Sequence, residues 1–344
     1  MDRQPPPQRG FVSAQRGPAD LDFHPRNPTM HHRQSNLAGN ELWKENNMTI
    51  DELNRKFGSD GAIRFSAGAG NLPLCTLATP LAKAQVYLHG AHVASYEPAG
   101  EKPVLYMSPR SNFISGKPIR GGVPVCLPWF GPKSDDPSAP MHGIARLREW
   151  QVLDANRSGN ALTLALQLDA RSETVFPYDF GAVLRLSLGE TLKIELETVN
   201  RSDRPMPVTE ALHSYFSVSD VREVSITGLE KVRYFDKAAG GEQPPAGREI
   251  RFAGETDRVY LDTSATCIIH DPAWARKIEA SKSGSKSTVV WNPHAKKAAS
   301  MQDLGEDTWP NFCCVETANA LGNAFTIAPG GIHVMSQTIR VLKG

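Results

Sequence analysis

Apolar residues recur two apart in this chain rather than three or four apart, and that spacing limits what it can fold into. Leu162, Leu164, Leu166 and Leu168 share one parity, as do Leu184, Leu186 and Leu188, then Leu192, Ile194 and Leu196. Successive side chains of an extended strand point to opposite faces, so each series buries one face and leaves the other to solvent. Gly189-Glu190 between two of the runs reads as a hairpin turn. Two further pairs of runs flank turn residues: Lys277 to Ser281 and Ser287 to Trp291 around Ser283-Gly284-Ser285, and Thr326-Ile327 and Val334 to Leu342 around Pro329-Gly330-Gly331. This pattern, sustained over roughly 280 residues, predicts an all-β fold, a large antiparallel β-sandwich. No short repeat marks propeller blades. One short helix is expected after Met48: Thr49 and Glu52 have capping-box spacing, Asp51 and Glu52 suit the positive helix end, and Gly58 can stop it.

The first 47 residues are of another kind. They hold Pro5-Pro6-Pro7, Pro18, Pro25 and Pro28, and only 12 of the 47 are apolar, against 40% for the chain. Such a segment buries too little surface to offset its ordering entropy, so residues 1–47 are expected to be a disordered leader and 48–344 a single sandwich domain. The leader has no apolar stretch typical of a secretory signal. Its acidic residues, Asp2, Asp20, Asp22, Glu41 and Glu45, depart from transit-peptide composition. Met48 opens the change in composition and could be an alternative start. The 344 residues would allow two domains, but large β-sandwiches exceed 200 residues as one unit, and no low-complexity linker interrupts residues 60–344.

Charge and cysteine usage bound the partners. Lys+Arg number 38 and Asp+Glu 37, a net charge of +1, which lacks the basic face of a nucleic-acid binder. No run approaches the 18 apolar residues of a membrane span. Cys75, Cys126, Cys267, Cys313 and Cys314 are odd in number and form no C-x-x-C pair. That argues against a disulfide framework or zinc site and for a reducing, cytoplasmic compartment. There is no G-x-S-x-G elbow and no G-x-x-x-x-G-K-[ST] loop, and Gly68-Ala69-Gly70 has no helical pattern after it. His89 and His92, in strand context, would point to opposite faces, so no metal and no cofactor are expected.

Four polar clusters remain, each with a plain alternative. Arg120 stands beside Gly121-Gly122, where backbone can approach a ligand and a guanidinium fork suits phosphate or hydroxyl oxygens; the alternative is a turn with a surface arginine. His142 and Arg146 lie four apart in His142-Gly143-Ile144-Ala145-Arg146, facing one pocket or merely a loop and solvent. His213, in Ala211-Leu212-His213-Ser214-Tyr215-Phe216, would share a face with Ala211 and Tyr215 while Leu212 and Phe216 face the core. A strand histidine is usually structural, but an imidazole suits acid–base work near neutrality. Glu316 ends the apolar run Phe312 to Val315; buried there it would need partners or a substrate, and otherwise it sits in solvent beyond the strand. Asp257, before Val259-Tyr260-Leu261, has the same two readings.

Taken in order, these clusters resemble one family. The segments Pro118 to Pro132, His142 to Arg146, Leu212 to Phe216, Val289-Val290-Trp291-Asn292-Pro293 and Cys314-Val315-Glu316 are similar to those of the hexose-6-phosphate mutarotases (glucose-6-phosphate 1-epimerases) of the aldose 1-epimerase superfamily, over about residues 60–344. Trp-Asn-Pro followed by Met301, Asp303 and Cys-Val-Glu is specific to the phosphorylated-sugar branch. The resemblance implies a galactose-mutarotase-like β-supersandwich with one open cleft. It also implies His213 and Glu316 as catalytic groups, and Arg120, His142, Arg146 and Asp257 as substrate contacts. Two departures stand out. Met141 occupies a position where many relatives have Gln, which puts one polar contact at that substrate-binding position in question. Trp129 takes the variable place of Phe-Pro-x-Phe-Gly, with bulk that could narrow the cleft or change the sugar preferred.

The implied reaction interconverts the α and β anomers of a hexose 6-phosphate. One base takes the C1 hydroxyl proton and one acid protonates the ring oxygen; Glu316 would be the base and protonated His213 the acid. A small-molecule sugar phosphate is the expected partner, held by Arg120 and Arg146. Neither nucleic acid nor membrane is expected as a partner, and the protein is expected to be a monomer. The rival readings are an aldose 1-epimerase for non-phosphorylated sugar, with no arginine pair for phosphate, and a non-catalytic carbohydrate-binding protein on the same fold.

Overall fold

The structure, a computed structural model, describes residues 48–343. The expected leader lies outside the described residues. The chain enters on the helix Ile50–Phe57, and both halves of the capping box form: the Thr49 side chain accepts from the Glu52 N–H, and the Glu52 carboxylate accepts from the Thr49 N–H. Gly58 ends it because a Cβ there would lie 2.4 Å from the Asn54 carbonyl oxygen.

Four sheets follow among the described residues, the smallest the pair Met206–Val208 and Phe325–Ile327, and every ladder between their strands is antiparallel. A four-stranded meander joins Ile63–Ala67, Pro73–Ala78, Ala82–Tyr87 and His92–Pro98. The first eight-stranded sheet, here the support sheet, runs Ser225–Thr227, Cys267–Asp271, Arg276–Ser283, Ile332–Lys343, Leu192–Asn200, Phe180–Leu188, Ala161–Ala170 and Gln151–Ser158. The second, the site sheet, runs Glu242–Gln243, Tyr234–Asp236, Thr256–Tyr260, Ser287–Asn292, Phe312–Asn319, Glu210–Leu212 and Val125–Cys126, with Tyr215–Ser217 also paired to Phe312–Asn319.

The leucine series build the core. Leu164, Leu184, Leu196 and Met335 of the support sheet belong to one buried cluster with Leu212, Phe216, Val290 and Val315 of the site sheet. The site sheet carries a second apolar cluster, formed by residues of the opposite parity: Ala211, Tyr215, Val289, Trp291, Phe312 and Cys314. Both faces of that sheet are therefore covered by side chains, one facing the support sheet and the other facing the functional groups.

The turn at Gly189-Glu190 closes a hairpin, with Leu188 opposite Leu192. The other two turns do something different. Arg276–Ser283 pairs within the support sheet and Ser287–Asn292 within the site sheet, so Ser283-Gly284-Ser285 carries the chain from one layer to the other. Pro329-Gly330-Gly331 likewise joins Phe325–Ile327, paired to Met206–Val208, to the long strand Ile332–Lys343. Period-two runs on either side of a turn look the same in sequence whether the turn closes a hairpin or bridges two sheets. Here Gly284 allows the bridge at φ +65°, with the Val334 carbonyl oxygen 1.9 Å from where a Cβ would be.

Leu53 and Phe57 of the helix share the core with the meander, and one polar side chain bonds the two directly. Asn54 donates from Nδ2 to the Phe65 carbonyl at 2.8 Å and accepts the Phe65 N–H on Oδ1 at 2.8 Å, covering backbone groups on the outer side of the edge strand. Asn54→Ala leaves both groups to water or unpaired. Thermal or denaturant unfolding should show a loss of roughly 1–3 kcal/mol, the cost of orphaning such groups.

Candidate active site

Strand register alone brings His213 and Glu316 together. Glu210–Leu212 pairs with Phe312–Asn319 as Leu212↔Thr317, and Tyr215–Ser217 pairs with the same strand as Tyr215↔Cys314. Both ladders keep one register, so across the two-residue break between them His213 lies opposite Glu316 and Ser214 opposite Val315. At the break the Ser214 N–H bonds to the Leu212 carbonyl at 3.0 Å, a γ-turn-like contact, while the His213 N–H bonds to Pro124 O at 3.0 Å. The expected parity holds: His213, Ala211 and Tyr215 share the functional face, and Leu212 and Phe216 face the core.

The two side chains meet at 3.4 Å, His213 Nε2 to Glu316 Oε1. Glu316 is 1% exposed and His213 7%, so the solvent reading of Glu316 is overturned. Glu316 Oε2 and His213 Nδ1 are buried with no hydrogen-bond partner. Around them the His213 ring stacks on Tyr215 at 4.9 Å and 10°, with the Trp291 ring edge-on at 6.0 Å and the His142 ring at 5.6 Å. Buried polar atoms without partners, set among aromatic rings, suit a hydroxylated ring that would stack and supply hydrogen bonds.

Burial sets the protonation of the pair. It pushes the Glu316 carboxyl well above the usual carboxylate range, with Lys237 opposing and Asp257 reinforcing the shift. Burial likewise drives the His213 imidazolium well below its ordinary value, helped by the charges of Arg120 and Arg146. Both shifts favour the uncharged forms, so the expected imidazolium is disfavoured by its surroundings, and Glu316 holds a proton more readily than an exposed carboxyl does.

The remaining expected residues fall into place unevenly. His142 sits at φ 63° in the loop, and its Nδ1 accepts the Gly131 N–H at 3.1 Å. Burial, then Arg146, holds the ring neutral, so its proton resides on Nε2, available for donation. Arg146, 9% exposed, donates from Nη2 to the Met141 carbonyl at 2.6 Å, leaves Nε without a partner, and has no ion pair with a described residue. Met141 itself is 50% exposed, so what it brings to the cluster is its carbonyl. Arg120 is already engaged: Nε and Nη2 contact Asp303 Oδ2 at 3.1 and 3.0 Å, and Nη1 donates to the Tyr215 hydroxyl at 3.0 Å. Asp257 lies 3.7 Å from Lys237 Nζ, and burial raises its pKa.

Trp129 does not narrow the site. It is 7% exposed in the main core, packs on Phe176 at 6.0 Å and donates from Nε1 to Pro140 O at 2.9 Å. Its neighbour Phe130 faces the functional groups instead, 4.9 Å from the His142 ring and 5.3 Å below Lys237 Nζ. Lys237 was missed in the sequence, where nothing marks it among 38 basic residues. Tyr215 was noted for parity alone, and Asp303 only as part of a motif.

His89 and His92, expected to point to opposite faces of one strand, do not share a strand: His89 lies in the turn after Ala82–Tyr87, where its Nε2 bonds to the Lys117 carbonyl at 2.8 Å, and His92 is buried at the start of His92–Pro98. A different trio, His213, Cys314 and Glu316, brings one donor atom each within 4.8 Å of one another. Burial holds the Cys314 thiol well above its usual pKa, which opposes the thiolate that metal ligation needs. All five cysteines are buried and free. No described helix is long and apolar enough to cross a membrane.

A two-sheet β-sandwich with a histidine and a carboxylate opposed on one face defines a carbohydrate-epimerase-like protein. The chain belongs to the aldose 1-epimerase family, whose model matches residues 73–340. A relative from Escherichia coli strain K12, named "Putative glucose-6-phosphate 1-epimerase", is 36% identical over 275 residues, covering 79% of this chain and 91% of its own. One of the same name from Cenchrus ciliaris is 35% identical over 259 residues, 72% and 78% of the two chains. A solved structure from Salmonella typhimurium, titled a "putative mutarotase", superposes with TM-score 0.77 at 34% identity, over 83% of this chain and 95% of that one. A galactose 1-epimerase structure from Lactobacillus acidophilus, at 14% identity and TM-score 0.65 over 82% and 98%, shares the fold.

A proton-sharing pair predicts an unusual pH profile. Activity needs one proton on the pair. It fails on the acid side when a second proton charges His213, at a pKa below the ordinary 6.5. It fails on the alkaline side when the shared proton leaves, at a pKa above the ordinary 4.5. The acid limb of the catalysed kcat/KM, corrected for spontaneous anomerisation and for the sugar phosphate's own ionisation near about pH 6, should therefore lie below pH 6.5, where an exposed histidine would titrate. An acid limb centred at or above the exposed-histidine value would overturn this description of the pair.

Proposed function

We propose that this protein interconverts the α and β anomers of a hexose 6-phosphate, with glucose 6-phosphate as the first substrate to test. The observation that carries the reading is the buried His213–Glu316 pair, 3.4 Å apart and otherwise unpartnered, on an aromatic-lined sheet face. The relatives' names for their own chains support the substrate class. Anomer exchange needs a proton taken from the C1 hydroxyl and one given to the ring oxygen. The C1–O5 bond opens, the aldehyde turns about C1–C2, and the ring recloses from the other face.

Glu316 and His213 perform both transfers. In opening, Glu316 takes the C1 proton and His213 protonates O5; in closure His213 takes the O5 proton back and Glu316 returns one to O1. One proton on two groups is the stoichiometry this cycle requires. The sugar phosphate also helps set the starting form. Its phosphoryl group carries about −1.5 to −2 charges near neutral pH, and after burial the charges of Arg120 and Arg146, with Lys237, are what depress His213. A phosphate beside them offsets that effect, so the proton moves toward His213 and Glu316 becomes the base. His142 Nε2–H donates to a sugar oxygen, and Asp257 with Lys237 holds a hydroxyl.

Phosphate binding answers one feature of Arg146. A buried guanidinium with an unpartnered Nε and no ion pair among the described residues is costly until an anion arrives. Arg120, held between Asp303 and Tyr215, keeps its charge: burial works against it, but those two groups more than offset this and raise its pKa. The non-phosphorylated reading leaves Arg146 without a counter-charge, and the binding-only reading leaves the opposed pair without a use.

Two measurements test this reading. Glu316→Gln and His213→Ala should each reduce catalysed anomerisation of glucose 6-phosphate by at least about a hundredfold in folded protein, the scale of losing a general acid or base. Near-wild-type turnover in either would remove that residue from the mechanism. Arg146→Ala should lower kcat/KM for glucose 6-phosphate by about one to two decades more than for free glucose. A charge-assisted contact contributes roughly 1.5–3 kcal/mol, and 1.36 kcal/mol is tenfold. Equal losses on both sugars would favour the non-phosphorylated reading.

A further inference from the structure

The two residues of the strand break have a partner on the far side of the site sheet. Gln337 lies on Ile332–Lys343, the long strand of the support sheet, between Ile194 on one neighbour and Lys282 on the other. It is 1% exposed and shares its parity with Met335 and Ile339, which are core residues. Its side chain crosses the interlayer space to the site sheet. Oε1 accepts the Ser214 hydroxyl proton, and Nε2 donates to the Val315 carbonyl at 3.2 Å. Ser214 and Val315 are themselves linked, the Val315 N–H bonding to Ser214 O at 3.3 Å. Ser214 follows His213 and Val315 precedes Glu316, so one amide ties together the chain neighbours of both proton-carrying residues.

That contact falls where the site sheet has least of its own. Regular ladders hold residues 210–212 and 215–217 against Phe312–Asn319, and neither includes His213 or Ser214. The backbone there is turned by the Ser214 N–H to Leu212 carbonyl contact. Between the two ladders, the backbone bond that links this segment directly to the Glu316 strand is the 3.3 Å contact from the Val315 N–H to Ser214 O, since the His213 N–H turns to Pro124 instead. Packing alone does not require an amide at this place: an apolar side chain of similar length would fill the same space among Ile194, Met335 and Ile339. A buried amide fixes direction as well as volume, because its donor and acceptor each accept only particular partners.

We propose that Gln337 is a positioning residue for the His213–Glu316 pair, holding their separation through Ser214 and Val315 from the opposite side of the sheet. The proposal rests on the epimerase reading above and adds a residue that never meets the sugar. Because transfer at both groups depends on sub-ångström placement, loosening the pair should lower kcat and leave sugar binding nearly as it was.

The test uses full-length protein with glucose 6-phosphate, each rate corrected for the spontaneous reaction. Gln337→Met keeps the bulk and removes both hydrogen bonds; we expect kcat to fall about ten- to a hundredfold with KM within about threefold of wild type. Ser214→Ala should reproduce part of that loss, and the double variant should lose little more than Gln337→Met alone, because both act through one contact. Ile339→Val, on the same buried face, is the control for mild core destabilisation and should leave kcat within about twofold. Gln337→Glu, which keeps an acceptor for Ser214, should recover part of the loss and covers the case in which Gln337→Met does not fold. Wild-type kcat in folded Gln337→Met, losses that multiply with Ser214→Ala, or an equal fall in Ile339→Val would each overturn the proposal. Failure of the epimerase reading shows separately, as wild-type protein that does not accelerate anomerisation or a His213→Ala variant that still does.

Discussion

Two ionisable side chains opposed inside a sheet, with water almost excluded, are the constraint around which this structure is arranged. A carboxyl and an imidazole at 1% and 7% exposure cannot both hold their ordinary charges at no cost. Surrounding each with hydrogen-bond partners would quench the chemistry. The chain instead leaves Glu316 Oε2 and His213 Nδ1 unpartnered and places the compensation in the scaffold. Phe312–Asn319 is paired on both sides, to Ser287–Asn292 and to the two short strands around His213, and all eight of its residues are buried.

The charges nearby follow from the same constraint. Arg120, Arg146 and Lys237 give the site a positive field around a pair whose burial favours the uncharged form of each group. Among the described residues, Arg120 and Lys237 form ion pairs, with Asp303 at 3.0 Å and Asp257 at 3.7 Å, and Arg146 forms none. The difference in distance separates their roles. Asp303 holds Arg120 at hydrogen-bond range against the Tyr215 hydroxyl, and Tyr215 in turn stacks on His213. The looser Lys237–Asp257 pair, whose partners are about a third and a fifth exposed, has room to exchange partners with a sugar hydroxyl.

Much of this was legible in the sequence, for identifiable reasons. Period-two leucines specify which face is buried, and the same parity rule correctly separated His213 and Tyr215 from Leu212 and Phe216. Parity could not reveal that Leu212 and Tyr215 belong to two ladders that keep one register, because register is a property of two strands. Nor could it tell a hairpin from a crossover at Ser283-Gly284-Ser285, since turn residues serve both. Lys237 and Gln337 were invisible because each acts from an element whose local pattern is ordinary: a residue just past a short strand, and an inward position on a core strand.

Trp129 shows the same logic in reverse. As a bulky residue inside a site motif it was a candidate to narrow the cleft, and it faces the core. Its indole N–H bonds to Pro140 O, next to Met141, whose carbonyl receives Arg146. A residue buried behind the loop thus holds the segment that presents His142 and anchors the buried guanidinium, while Phe130 alone meets the functional groups. Gln337 does for the strand break what Trp129 does for the loop: a hydrogen bond directed from the core fixes backbone whose side chains must remain unpartnered. Groups that must stay free to exchange protons with a substrate cannot hold themselves in place, so their positions have to be set by residues the substrate never touches.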